Sequence, residues 1–204
     1  GGYGNVASND FSTVAGGTYN TATGYQATVS GGENNIANGI SSTVSGGIGN
    51  KALGDGAVVG GGGYNGISLL PNTASGDASV ISGGASNTAS AYGTTVSGGI
   101  NNDATGSDAT IAGGFGHTAS GTGAVIGGGS VNLASGASAV VSGGNRNQAT
   151  GIGSTVGGGG WNGGASFGNV ASGNSSTIAG GFDNKVSGSY AFVAGGRSGS
   201  ATDY

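Results

Sequence analysis

The sequence predicts an all-β chain, a parallel β-roll or β-solenoid of 15-residue two-strand coils. Three observations predict it. An Asn returns at 15-residue steps, a Val or Ile stands nine positions after it in every unit, and a Gly-Gly pair begins two positions later still. A fixed period of this kind marks stacked units, none of which can bury its apolar face alone.

The Asn series runs Asn5, Asn20, Asn35, Asn50, Asn65, then slips by seven residues to resume at Asn72, Asn87, Asn102, His117, Asn132, Asn147 and Asn162. A second slip of seven leads to Asn169 and Asn184. With the Asn as slot 1, the consensus is N-x-A-[ST]-G-x-x-[SA]-[TV]-[VI]-[SAG]-G-G-x-x. Twelve complete units fit between Asn5 and Ser198, with partial units at both ends, so residues 1–204 read as a single repeat domain with insertions at 65–71 and 162–168.

The first strand of each unit covers slots 1–3. Slot 3 is Ala in eleven of twelve units, Val186 being the exception, and it shares a face with the slot 1 Asn because side chains alternate along a strand. Stacked amides at slot 1 are expected to form a ladder as in other cross-β arrays. His117 takes that slot once and is expected to be a hydrogen-bonded substitute for Asn, since no Cys or second His is present to complete a metal site. Gly at slot 5, in ten of twelve units, is expected to turn the chain. The second strand covers slots 8–11. Slot 10 is always Val or Ile and slot 8 always Ala, Ser or Thr, which makes that face the interior, while slots 9 and 11 face outward. Gly-Gly at slots 12–13 closes the coil. β-Branched residues between recurrent glycines exclude helix.

Composition narrows the function. Gly accounts for 53 of 204 residues without a Gly-X-Y triplet or proline enrichment, which excludes collagen, and 34% apolar residues held in register argue against disorder. A net charge of −4 from twelve charged residues offers no basic field for nucleic acid. No apolar run approaches the ~20 residues of a spanning helix, so no membrane contact by this segment is expected. The eight acids lie mostly at variable slots; Asp55 and Asp77 share slot 6 of successive units, yet no Lys, Arg or His recurs beside them. Neither catalysis, nor a cofactor, nor a metal is therefore expected.

The insertions carry the candidate ligand contacts. Each follows an aromatic, Tyr64 or Trp161, and together they supply Ile67, Leu69, Leu70 and Phe167. That is more apolar surface than an exposed loop normally carries. Tyr64, Leu69, Leu70, Trp161 and Phe167 are thus the candidate site residues, and the competing reading makes the insertions flaps packed on a neighbouring coil or subunit.

The phrases "ASGNSSTIAGGFDNKVSG", "ATGIGSTVGGGG" and "NTATGYQATVSGGENN" resemble the head repeats of trimeric autotransporter adhesins. They are similar to the YadA-like head motif and closer to the ubiquitous-surface-protein branch, with its G-G-x-x-N-x-A-x-G-x-x-S-T-V phrase. The resemblance implies a left-handed roll, a homotrimer, and display at the surface of a Gram-negative cell through outer-membrane anchoring segments not present in this sequence. It further implies a non-catalytic virulence role in cell adhesion, with an extracellular matrix protein or a glycan as partner. Two other readings accompany it: a phage tail-fibre segment with related repeats, and an ice-binding solenoid presenting Thr/Ser rungs at slots 9 and 11. Val58, Val80, Val125, Val140 and Phe192 interrupt the Thr column that ice binding needs.

Overall fold

The computed structural model describes residues 1–64, 66–161, 164 and 167–202. Asn65 and Asn162 of the Asn series, and Asp203, one of the eight acids, lie outside the described residues. Two compact units, Gly1–Asn102 and Asp103–Tyr204, divide the chain, and each is a parallel β-solenoid. No helix occurs among the described residues.

Each coil places one two-residue strand at slots 2–3, such as Thr21–Ala22, and another at slots 9–10, such as Thr28–Val29. In the first unit, the six strands of each kind form a separate parallel sheet; in the second, seven and six do so. Register is slot on slot: Thr21 pairs with Ile36, Val29 with Val44, Val125 with Val140. The insertions do not disturb it, since Lys51 pairs with Thr73 and Gln148 with Val170.

The interior is the one the alternation predicts. Ala22, Ala37, Val29, Val44, Ile81, Ile111 and their equivalents away from the terminal coils are buried, as are Asn20, Asn35 and Asn50. Apolar area in so thin a coil is small, and the Asn column supplies much of the organisation. Its geometry differs from an amide-to-amide ladder. Asn35 Nδ2 donates to the Gly31 and Gly47 carbonyls (3.0 and 2.9 Å), and its Oδ1 accepts the backbone N–H of Asn50 (2.9 Å). One amide thus ties together its own Gly-Gly turn, the next Gly-Gly turn and the next coil's first strand. Direct amide-to-amide bonds appear as additions, for example where Asn72 and Asn169 follow the insertions.

Two backbone features went beyond the sequence reading. A third parallel ladder runs through slot 14, where Tyr3 bridges Thr18, Thr18 bridges Glu33 and Glu33 bridges Ile48 in the first unit, and Phe115, Ser130 and Asn145 do the same in the second. Slots 7 and 15 carry positive φ in most coils, on ordinary residues such as Gln26 (57°), Tyr19 (54°) and even the β-branched Val131 (55°). Most backbone N–H groups donate to the following coil, but those at the positive-φ slots point back: Gln26 donates to Asp10 and Tyr19 to Tyr3. The reversed bond offsets the ~1–2 kcal/mol that a left-handed residue costs. Slot 5 glycine, in contrast, is not left-handed at Gly24; a Cβ there would collide with the Gly39 carbonyl oxygen of the next coil. Gly is favoured at slot 5 by close stacking on the next coil rather than by a left-handed φ, and Asn9 and Ala91 take the slot in the other two coils.

Candidate functional site

The insertion in the first unit starts inside slot 14. Gly63 donates its N–H to Gly84 as a slot 14 residue does, and the Leu70 carbonyl accepts from Ser86 as a slot 14 residue does. Between them the chain leaves and returns as a hairpin, closed by Leu70 N–H to the Gly63 carbonyl (2.9 Å) and by antiparallel pairing of Tyr64 with Leu69. Pro71 then fills slot 15: a Cβ added to Gly49, the slot 15 residue one coil earlier, would lie 3.4 Å from it. The ladder closes behind the excursion, with Asn72 N–H donating to Asn50 Oδ1 (3.0 Å) across 22 residues. In the second unit the chain leaves and rejoins the coil at the same slots, with Gly160 donating to Gly181 and Phe167 accepting from Asp183.

This geometry sorts the five candidate residues. Tyr64 and Leu69 stand on the hairpin, exposed, with Ile67 at its tip 88% exposed. Leu70 is half-buried because it has returned to the coil. Trp161 is 65% exposed, and Phe167, also exposed, occupies slot 14 with its ring edge-to-face with Phe182 at 5.8 Å. Phe182 itself is only 8% exposed, beneath Phe167 and the Arg197 guanidinium (5.5 Å from the ring centroid). Four further corner aromatics form edge-to-face pairs at the surface, Tyr3 with Tyr19 (5.3 Å) and Phe11 with Tyr25 (5.7 Å). Positive φ at Phe11 and Tyr19 helps set these pairs, a feature that no aromatic spacing in the sequence reveals.

The polar candidates have structural partners. Asp55 Oδ1 accepts the Ile40 N–H (2.8 Å) and Asp77 Oδ1 accepts the Asp55 N–H (2.9 Å), so each carboxylate caps the backbone of the coil before it. His117 acts as an Asn. Its Nδ1 accepts the Asn132 N–H (3.0 Å), and it bonds to the backbone of Gly129, the carbonyl position an Asn would serve there. Burial lowers its pKa from 6.5, opposed by the bond to the Gly129 backbone. Among the described residues, no group of three or more His, Cys, Asp or Glu is placed to hold a metal ion, and no helix is long and apolar enough to cross a membrane.

No protein-family model matches the chain, and no curated protein matches it either. The functional reading therefore rests on the molecule's own surface.

Proposed function

We propose that this chain is a display module, the head of a trimeric adhesin or the shaft of a related fibre, which binds surface ligands through its projecting insertions and aromatic corners. The observation that carries the reading is the hairpin of the first unit. Tyr64, Ile67 and Leu69 are held out in solvent by a backbone-closed excursion, while the solenoid beneath closes without them. Apolar side chains on a part that the fold does not use are unusual unless a partner covers them. Their exposure argues against packing on the chain's own coil and favours a ligand or a second copy as what covers them.

A homotrimer joined along the slots 9 and 11 face of each unit belongs to the same proposal. That face combines the Thr/Val column with Ala, Ser or Gly at slot 11, which allows close approach, whereas slots 2 and 4 carry Lys51, Asp103 and Lys185, costly to bury unpaired. Val58, Val80 and Val140 are already half-covered within their units, so about 1.5–3 kcal/mol per buried Val is an upper limit on what each adds to assembly.

Beads coated with the full chain test the function. The reading expects retention on surfaces bearing extracellular matrix protein or glycan, competed by soluble chain. No retention on any such surface, together with thermal hysteresis in the same sample, would replace it with ice binding.

A further inference from the structure

The second unit contains a surface groove of about 270 Å³ whose shape follows from the repeat. Three neighbouring coils contribute their slot 15 and slot 2 residues to it. In the slot 15 column, Arg146 and Asp183 flank Gly168, where no side chain fits because a Cβ would collide with the Arg146 carbonyl oxygen. The missing side chain is the groove. Val170 of slot 2 forms part of its lining, with Gln148 and Lys185 on either side in the same column, and the exposed Phe167 ring forms a wall.

The charge is as local as the shape. Only four Lys and Arg occur in the chain, and Arg146, Lys185 and Arg197 all belong to this stretch of the second unit. Arg146 and Lys185 line the groove, and Asp183, 3.6 Å from Lys185 Nζ, neutralises one of them in part. The groove thus combines an Arg fork that matches a planar carboxylate, amide and carboxylate groups able to bond hydroxyls, and an aromatic wall, at the scale of one ring rather than of a drug-sized ligand.

We infer that this groove is a subsite for a carboxylate-bearing sugar, one uronate residue of an acidic saccharide. Arg146 and Lys185 hold the carboxylate, Gln148 and Asp183 take hydroxyls, and Phe167 covers the ring's apolar face. The inference deepens the display reading, on which it rests, by naming a ligand class for the corner that bears Phe167.

Titration of the full chain with tetragalacturonate, and separately with its neutral methyl ester, followed by amide NMR shifts and calorimetry, tests it. Saturable binding of the acid is expected, with shifts centred on Gln148, Gly168 and Val170, weakened about tenfold in the ester because a charge-assisted hydrogen bond is lost. Arg146→Met and Lys185→Met should each weaken the acid to a similar degree, whereas Lys51→Met, which removes the same charge in the first unit, should leave it unchanged. Equal binding of acid and ester overturns the carboxylate assignment, and so does no saturation by about 10 mM. Both comparisons use the unmodified chain, so misfolding of a variant cannot obscure them. Coated beads that still adhere while tetragalacturonate fails to bind overturn this ligand class and leave the display reading standing; loss of both overturns both.

Discussion

Replacing Asn35 with Ala tests the role of the buried amide column most sharply. Asn35 is fully buried, and Ala would remove its two bonds to the Gly31 and Gly47 carbonyls and leave the Asn50 N–H without its acceptor. The groups left behind are not equivalent. Gly47 still accepts from the Glu33 N–H, and Gly31 is only half-buried, so those two losses are ordinary hydrogen bonds. Asn50 is fully buried, and its N–H carries the larger penalty of an unpaired donor. Together these amount to about 2–6 kcal/mol. Stacked repeats couple to nearest neighbours, so the damage should concentrate on the coils that meet at Asn35. Urea unfolding followed by circular dichroism measures the total, and hydrogen exchange at the Asn50 amide reads the site itself. Asn35→His is the control, since His117 shows that an imidazole can keep the acceptor and one donor; it should cost less than Ala at pH 8. A stability loss below about 0.5 kcal/mol with the Asn50 amide still protected would refute the reasoning.

Three further outcomes are expected. The buried hydroxyl of Ser42 has no hydrogen-bond partner among the described residues, so Ser42→Ala should leave stability unchanged or raise it by up to about 1–3 kcal/mol in the same urea assay. The lowered pKa of His117 means that the unfolded chain binds the proton more readily than the folded one, so His117 contributes full stability above pH 6.5 and loses it as pH falls through the lowered folded value. Thermal melts from pH 8 to pH 5 should decline more steeply in the parent than in His117→Asn, and parallel profiles would contradict this. Light scattering should give three times the 18.6 kDa chain mass, and Val125→Lys with Val140→Lys should dissociate or unfold the assembly; a stable parent monomer would reject the trimer.

Much of the coil was legible because the features that specify it are written in every copy. The 15-residue period sets parallel in-register pairing, and the restriction of slot 10 to Val and Ile and of slot 3 almost wholly to Ala marks the interior. The third ladder was not legible, because slot 14 pairs through backbone alone while its side chains range over Tyr, Thr, Glu, Ile and Arg. The left-handed positions at slots 7 and 15 had a faint signal, since Gly recurs there at Gly56, Gly93, Gly123, Gly49 and Gly116. Invariant Gly at slots 12–13 and near-invariant Gly at slot 5 masked it. Placement of the insertions shifted for a related reason. Counting from Asn assigns Leu70-Pro71 and Phe167-Gly168 to the excursions, whereas the hydrogen bonds return those pairs to slots 14 and 15. Gly168 then becomes the gap in a column of side chains, a feature visible only once three coils are stacked.

The display reading depends most on the insertions being dispensable to the fold and necessary to adhesion. Deleting residues 65–71 and 162–168 removes seven residues from each and restores the 15-residue step in place of the 22-residue spans now bridged from Asn50 to Asn72 and from Asn147 to Asn169. Circular dichroism melts and bead retention, measured on the parent and on this double deletion, address both halves at once. The account predicts an unchanged or higher melting temperature with retention lost. Retention at the parent level, or a chain that no longer folds, would contradict it.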